Sequence, residues 1–267
     1  MTDQPVVLVQ RETGYRVITL NRPEKLNAFN EAMHAALRAA IDKAEADEDC
    51  RALMITGAGR AFSSGQDLSD RVTKPGEKPA PRDSLERLYN PLVRRLRGLP
   101  FPVIAAINGV AAGASANIAL ACDIVIAGKS ASFIQSFARL GLVPDSGGTW
   151  FLPRLVGDAR ARGLALIAQE LPAEKAAEWG LIWRCVADDQ LMYEARRICE
   201  HFSVAPTQGL ALIKRALDAS ATNDLDAQLD LERDLQKQAH ALPDYAEGVR
   251  AFIEKRKPKF IGRKNPA

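Results

Sequence analysis

The sequence of 267 residues has no apolar run of the roughly 18–20 residues that a membrane-spanning helix needs. Its first residues, MTDQPVVLVQRETG, have no basic flank before a long apolar stretch, so we expect no signal peptide. The four cysteines are scattered without a CxxC pair, which favours free thiols in the cytoplasm over a disulfide or redox site. The three histidines lie far apart without a partner at metal-ligand spacing, so we expect no metal site.

Several catalytic motifs are also missing. The P-loop pattern GxxxxGK[ST] does not occur. The string GAGRAF at residues 57–62 begins like a dinucleotide-binding fingerprint but lacks its third glycine. The nucleophile pattern GxSxG is absent as well. Any reaction must therefore use carboxylates, amides, main-chain donors or a carried cofactor.

The composition is that of an ordinary soluble globular protein, with 47% hydrophobic, 26% charged and 6% aromatic residues. Lysine and arginine number 36 against 33 acidic residues, for a net charge of +3. That balance is too even to indicate nucleic acid as the main partner. The length suits one large domain, or a domain with an appendage.

Short β-branched runs alternate with helical patterns in the first half of the chain, which favours a mainly parallel α/β architecture covered by helices. The pattern predicts strands at residues 6–9, 17–20, 53–56, 103–107 and 124–127, the first two as a hairpin. It predicts helices at residues 33–44, 85–96 and 114–121. Residues 60–83 are predicted to form a long polar connection, with a mobile composition at 74–81.

After Gly147 the pattern is almost entirely helical, with one strand-like piece at residues 181–186. Three helical segments follow the candidate boundary at Ala205-Pro206, and they span residues 206–221, 224–241 and 243–256. We therefore expect a core at residues 1–204 and a helical C-terminal region at 205–267.

Two segments place glycine or small residues where the main chain has to bend: AFSSGQDL at residues 61–68 and NGVAAGASAN at 108–117. Exposed N–H groups at a helix N-terminus can bind an anion. Two such N–H groups from two loops would form an oxyanion hole. From the spacing alone, ordinary tight turns are the favoured interpretation of both segments.

These two segments, together with LNRPEKLNA at 20–28 and LGLVPDSGGT at 140–149, resemble the crotonase (enoyl-CoA hydratase/isomerase) superfamily over residues 5–260. The resemblance implies a spiral of ββα turns followed by a helical region that assembles trimers, usually paired into hexamers. It implies an acyl-CoA thioester as substrate, whose enolate is stabilised by the main-chain N–H groups of Gln66 and Ala114.

The sequence departs from the family's hydratases at both of their catalytic glutamates. Asn117 and Phe137 stand at these positions, and neither can act as a general base. Asp145 matches the carboxylate of isomerase branches, so the resemblance implies that it is the base; the alternative is that it caps the following helix. Asn117 either orients the substrate or a water, or only closes a helical turn.

A finer resemblance points to the branch that isomerises the ring epoxide of phenylacetyl-CoA to oxepin-CoA, and that also shifts enoyl-CoA double bonds. It is carried by the strings YNPLVRRL at 89–96, AEWGLIW at 177–183 and QLDLERD at 228–234. An enoyl-CoA hydratase is the alternative within the family. An RNA-binding member is a remote one, supported only by the basic C-terminal segment.

The resemblance also implies contacts to the CoA part of the substrate, with no redox cofactor and no metal. The candidates are Lys25, Ala61 and Ser64 near the first bend, and Lys257 and Phe260 near the C-terminus, where the family often reaches over a neighbouring subunit. Phe133, Phe137 and Trp150 are candidates to line an acyl pocket, although each can equally belong to the core.

Overall fold

The computed structural model describes residues 4–69 and 83–264. The segment 74–81, for which the sequence predicts mobility, lies outside these residues. Ten strands and ten α-helices are found in the described part of the chain. No helix there is both long and apolar enough to cross a membrane.

The larger sheet has six strands in the order β1-β2-β3-β5-β7-β10. Strands β1 and β2 form the predicted hairpin, and β2, β3, β5, β7 and β10 run parallel to one another. The bounds of these strands are Val7–Glu12 (β1), Tyr15–Leu20 (β2), Ala52–Gly57 (β3), Val103–Ile107 (β5), Ile124–Gly128 (β7) and Arg184–Val186 (β10). The sequence pattern therefore predicted the main sheet correctly, except that only the last half of the 181–186 piece is a strand.

A second sheet of four short strands runs beside the first, in the order β4-β6-β8-β9. Strands β4, β6 and β8 are parallel, and β9 closes the sheet antiparallel to β8. These strands are Ala61–Ser63 (β4), Val110–Ala112 (β6), Ser132–Ile134 (β8) and Glu170–Pro172 (β9). The prediction of a polar connection from residue 60 is wrong at β4, whose three residues are buried. The prediction of one strand after Gly147 is wrong as well, because β9 precedes β10.

The chain alternates between the two sheets and then adds a helix, so β3-β4-α2, β5-β6-α3 and β7-β8-α4 form successive turns of a spiral. This confirms the ββα spiral that the resemblance implies. The helices of the core are Glu31–Ala46 (α1), Asn90–Gly98 (α2), Ala114–Leu120 (α3), Gly148–Val156 (α4), Asp158–Ile167 (α5), Ala173–Glu178 (α6) and Leu191–Ser203 (α7). A π-helical turn, Leu85–Tyr89, leads directly into α2.

Three helices form the C-terminal region, close to the predicted bounds: Thr207–Ala219 (α8), Leu225–His240 (α9) and Pro243–Ile253 (α10). Ala205-Pro206 lies between α7 and α8; the division of the chain there stays a prediction. A buried ion pair joins this region to the core, since Lys214 Nζ lies 2.7 Å from Asp123 Oδ2 and donates to the carbonyl of Phe101 at 3.0 Å. The segment after α10 returns to the core, where the Arg51 guanidinium donates to the carbonyls of Phe260 and Ile261.

Lys214→Met removes the cation from this pair and leaves the Asp123 carboxylate among buried groups. Burial already raises the pKa of Asp123, which shows that its charge is poorly solvated. We expect the free energy of unfolding to fall by about 3–5 kcal/mol, the usual effect of breaking a buried pair. Urea denaturation measures it, with Lys237→Met as the matched control, because Lys237 pairs with Asp234 on the exposed surface. Equal effects of the two variants would contradict the prediction.

Candidate active site

The first predicted bend follows strand β4 and turns at Gly65, whose φ is +90°. The next residues pair with Phe29: its N–H donates to the Gly65 carbonyl at 2.7 Å, and the Asp67 N–H donates to the Phe29 carbonyl at 2.9 Å. Successive main-chain groups of an extended segment point to opposite sides. The Gln66 N–H therefore faces away from Phe29.

The second predicted bend lies between β6 and α3, at Gly113, whose φ is +57°. Helix α3 begins at Ala114, and the first N–H of a helix has no acceptor within that helix. The Ser115 hydroxyl donates to the Ser63 carbonyl at 2.6 Å and accepts from the Ala112 N–H. This hydroxyl ties the start of α3 to the end of β4.

The two bends are in contact. A Cβ atom added to Gly65 would lie 2.6 Å from the Ala112 carbonyl oxygen and 3.7 Å from the Ala114 nitrogen. Only glycine permits both this approach and the positive φ. Because Gln66 follows Gly65 directly, the structure brings the Gln66 and Ala114 main chains side by side.

Asp145 lies in the turn before α4 and is partly buried. Burial raises the pKa of its carboxyl group, and a hydrogen bond from the Ser146 hydroxyl to Oδ1, at 2.9 Å, acts in the opposite direction. The alternative that the Asp145 side chain caps the next helix is wrong. The N-cap of α4 is Gly147 without a side-chain hydrogen bond, and the Gly148 N–H donates to the main-chain carbonyl of Asp145. The carboxylate is thus not used by the helix.

Asn117 is fully buried in α3 and uses both ends of its amide. Its Nδ2 donates to the Asp145 carbonyl at 2.8 Å, and its Oδ1 accepts from Gln135 Nε2 at 2.8 Å. Residues three apart on a helix are neighbours, with about 5–6 Å between their Cβ atoms. Asn117 therefore fixes the main chain of the Asp145 turn within one helical turn of Ala114, and the Gly65-Gln66 bend lies at the start of the same helix.

The three aromatic candidates lie in different surroundings. Phe137 is buried, and its ring lies 3.8 Å from where a Gly113 Cβ would stand, against the second bend. Phe133 packs in the main hydrophobic core. Trp150 is 38% exposed, with the Arg154 guanidinium 4.3 Å above its ring. Phe137 thus lies beside the second bend itself, whereas Phe133 pairs with Ala111 in the strand that leads into it.

Three of the five predicted CoA contacts lie together beside the first bend. The Asn27 amide donates to the Ala61 carbonyl at 2.8 Å, and the Ser64 N–H donates to the Leu26 carbonyl, next to the exposed Lys25. Their place near the bend agrees with the prediction, and their contact with CoA stays a prediction.

Lys257 and Phe260 lie elsewhere in the chain. The Phe260 carbonyl is bound by Arg51, which directly precedes the start of β3, whereas the first bend follows β4, beyond the other end of β3. Six residues of strand separate these ends by roughly 20 Å. Within one chain these two residues are therefore not brought to the other site residues.

Sequence reasoning did not single out the residues that support the first bend. The Arg22 guanidinium donates to the Ala28 carbonyl at 2.6 Å and pairs with Asp67 Oδ2 at 3.0 Å. Hydrogen bonds from the hydroxyl and N–H of Ser69, together with Arg22, lower the pKa of Asp67 to about 2. Asn27 adopts a φ of +55°, a conformation in which asparagine is several-fold enriched. The LNRPEKLNA string was the available signal for these supports.

No group of three or more His, Cys, Asp and Glu side chains in residues 4–69 and 83–264 could hold a metal ion. The four cysteines are free, and three of them are buried.

Comparisons with known proteins cover nearly the whole chain. The model of the family described as enoyl-CoA hydratase/isomerase matches residues 10–263. The chain is 54% identical to the 1,2-epoxyphenylacetyl-CoA isomerase of Escherichia coli K12, over 96% of this chain and 98% of that one. It is 48% identical to a protein of Rhodobacter capsulatus named "Probable enoyl-CoA hydratase", over 94% and 95% of the two chains. The crystal structure of enoyl-CoA hydratase from Bacillus anthracis aligns with a TM-score of 0.88 at 31% identity, over 96% and 99% of the chains.

The opposite pKa shifts of Asp145 and Asp67 predict opposite effects of amidation on stability. The raised pKa of Asp145 means that its charge costs the folded state stability. This cost develops as the pH rises past the ordinary pKa of the unfolded chain, and it is complete above the folded pKa. Asp145→Asn should therefore raise the free energy of unfolding at pH 7, and this gain should vanish near pH 3, where the carboxyl is neutral in both states.

Asp67→Asn is the matched control, for which we expect the opposite change in the free energy of unfolding. Its carboxylate is stabilised in the folded state, so the variant should lose about 2 kcal/mol at pH 7, and the loss should shrink as the pH falls toward 2. Urea denaturation at several pH values measures both variants. A loss of stability in Asp145→Asn at pH 7 would show that this carboxylate is used by the fold.

Proposed function

Because the chain belongs to the enoyl-CoA hydratase/isomerase family, we propose that it is an acyl-CoA isomerase that works through a thioester enolate. The proposed main substrate is 1,2-epoxyphenylacetyl-CoA, converted to oxepin-CoA in phenylacetate catabolism, with a second activity on enoyl-CoA double bonds. The observation that carries the proposal is the tether of the Asp145 turn to α3, one helical turn from the Ala114 amide and beside the Gly65-Gln66 bend.

The proposed mechanism uses Asp145 as the single general base. Its carboxylate removes the proton at C2 of the acyl group, and the negative charge moves to the thioester oxygen. The raised pKa makes this carboxylate a stronger base than an ordinary aspartate. The enolate then collapses. In the epoxide substrate its electrons assist opening of the strained ring-epoxide system, and Asp145 returns the proton to a ring carbon. In an enoyl-CoA, Asp145 returns the proton at C4, which shifts the double bond. Substrate and product have the same composition, so the base ends each cycle unchanged.

The main-chain N–H groups of Gln66 and Ala114 are the proposed oxyanion donors. A fixed donor aimed at the position where charge develops lowers the barrier because it binds the transition state more strongly than the ground state. Removal of one such donor typically costs about 3–4 kcal/mol. Main-chain donors act whatever the side chain, and a buried amide such as Asn117 then serves to position Asp145 rather than to touch the substrate.

Lys25, Ala61 and Ser64 are the proposed CoA contacts of the same chain. Lys257 and Phe260 are proposed to contact the CoA bound to a neighbouring subunit, since they lie far from these residues within one chain. The substrate is a CoA thioester, and no separate cofactor is part of the proposal. The four free cysteines and this substrate class favour the cytoplasm as the place of action.

The proposal includes assembly into homotrimers, alone or paired as hexamers. Support comes from large apolar side chains that the C-terminal helices expose in the isolated chain, among them Ile213, Leu217, Leu229, Phe252 and Ile253. Phe252 is 85% exposed, which is costly for an aromatic ring unless another surface covers it.

Asp145→Asn should reduce turnover of 1,2-epoxyphenylacetyl-CoA and of a 3-enoyl-CoA by well over a hundredfold, because an amide cannot accept the C2 proton. Binding of acyl-CoA should change by less than about threefold. The matched control is Asp158→Asn, which changes an exposed aspartate paired with Arg162 on α5 and should leave turnover intact. Near-normal turnover in Asp145→Asn would remove this residue from the role of base.

Hydration of crotonyl-CoA tests the alternative that the protein is an enoyl-CoA hydratase. This alternative is favoured by the name of the Rhodobacter capsulatus relative. The reaction is measured as the loss of the enone absorbance. Hydration faster than either isomerisation would overturn the isomerase assignment.

Sedimentation equilibrium of the purified chain should give three or six times its mass of 29.1 kDa. Phe252→Glu together with Ile253→Glu should lower this mass, because charged groups cannot be buried in an apolar interface. The double variant Asp230→Ala and Asp234→Ala on α9 is the control, since it changes exposed charged groups of the same region. A wild-type mass of a single chain would contradict the proposed assembly.

A further inference from the structure

The Gln66 side chain folds back onto the main chain of its own bend. Its Nε2 donates to the Phe29 carbonyl at 3.1 Å and to the Asp67 carbonyl at 3.0 Å. Its Oε1 accepts a hydrogen bond from the Tyr89 hydroxyl at 2.8 Å. The side chain thus joins the first bend to two other segments, and both ends of its amide are used in these contacts.

Tyr89 holds its end of this contact rigidly. The residue is 1% exposed and ends the π-helical turn that leads into α2. Its ring lies edge-on to the His34 ring, with 4.4 Å between centroids, and 6.3 Å from the ring of Phe29. A tyrosine has only two side-chain torsions, so a packed ring leaves its hydroxyl little freedom. π-helical turns of this kind occur frequently at functional sites.

The aromatic cluster beneath Tyr89 carries no charge at neutral pH. Burial lowers the pKa of His34 to about 4, and its Nε2 is buried without a hydrogen-bond partner in the described structure. The Tyr89 hydroxyl therefore donates to Gln66 in apolar surroundings, where a hydrogen bond is stronger than in water.

Phe29 connects the cluster to the main chain of the bend. Its carbonyl accepts from both the Gln66 side chain and the Asp67 N–H, and its ring packs against His34 at 5.0 Å. Gln66 is therefore held on its two flanks by main-chain pairing and at its side chain by Tyr89. The contact to the Gln66 side chain thus comes from the π-helical turn before α2, and the main-chain pairing comes from Phe29, which precedes α1.

We propose that Tyr89 is a positioning residue for the reaction: its hydroxyl fixes the Gln66 side chain and thereby the direction of the Gln66 N–H that receives the enolate oxygen. This inference rests on the proposed function and deepens it. A donor in an oxyanion hole acts through its aim, since hydrogen bonds weaken steeply as the angle opens. Loss of the Tyr89 hydroxyl leaves the N–H present and lets its direction vary.

The test measures turnover and enolate binding in Tyr89→Phe, which removes one oxygen and keeps the ring. We expect kcat for 1,2-epoxyphenylacetyl-CoA to fall about tenfold or more, while KM stays within about twofold. Acetoacetyl-CoA serves as the probe of the hole, because its bound enolate is seen by ultraviolet absorbance. The fraction bound as enolate at a fixed pH should fall in Tyr89→Phe. Tyr193→Phe is the matched control, since that ring is 59% exposed on α7.

A double-mutant cycle with Gln66→Met separates positioning from general stability. If Tyr89 acts through the Gln66 side chain, Tyr89→Phe should have little further effect on kcat or on the enolate fraction in the Gln66→Met background. If Tyr89→Phe folds poorly, Gln66→Met by itself still tests the inference, because it should lower the enolate fraction at unchanged KM.

Three results would overturn the inference. The first is an unchanged enolate fraction and kcat in Tyr89→Phe while the wild-type protein is active. The second is independent, multiplicative effects of the two substitutions. In the third, the wild-type protein neither isomerises an acyl-CoA nor binds acetoacetyl-CoA as its enolate, and the proposed function fails together with the inference.

Discussion

The Gly65 main chain lies against the Ala112 carbonyl, and the arrangement of the site depends on this contact. The stacking of the spiral produces it, because β4 and β6 are parallel neighbours with Ala61 opposite Val110. A Cβ at residue 65 would stand 2.6 Å from the Ala112 oxygen, so any side chain would separate the strands at the point where both chains turn. The Ser115 hydroxyl fixes the same junction from the helix side. Two successive turns of the spiral thus meet at two bends, and the proposed oxyanion donors belong to the residues that follow these bends.

The two carboxylates of the site differ in the direction of their pKa shifts. Asp67 has hydrogen bonds from Ser69 and an ion pair with Arg22, and its pKa is lowered to about 2. Asp145 has one hydrogen bond from a neutral hydroxyl and partial burial, and its pKa is raised. Both stand beside donor segments, yet one is a structural anion and the other is suited to accept a proton. The difference comes from their neighbours and not from their residue type, which is why composition alone could not assign the roles.

The sequence predicted the elements that have enough residues to show a period. Strands β2, β3, β5 and β7 are β-branched runs of five or six residues, and α1 shows apolar positions on one face. The second sheet was missed because its strands have three residues each, too few for alternation to be visible. Strand β10 was placed too early because the apolar residues 181 and 182 are buried by packing without belonging to the sheet.

The candidate site was predictable in its bends and not in its supports. The glycines at 65 and 113 are local signals, and the structure gives both a positive φ. The Tyr89–Gln66 hydrogen bond spans 23 residues and the Arg22–Asp67 pair spans 45. No local pattern contains such a contact, since it exists only when the spiral stacks one turn on another. The same holds for the Asn117 amide and the Asp145 carbonyl, 28 residues apart.

The identity of residue 117 follows from the same geometry. The position corresponds, by the resemblance, to a catalytic glutamate of the hydratases, yet here the side chain has to donate to the Asp145 carbonyl and accept from Gln135. An ionised glutamate has no hydrogen to donate, and its charge beside Asp145 would raise the pKa of that carboxyl further. Its extra length would also meet Gly148, because a Cβ atom added to Gly148 would already stand 2.4 Å from the Asn117 Nδ2. The neutral amide at 117 and the carboxylate at 145 therefore form one unit. The amide takes the place of a second acid and fixes the main chain of Asp145.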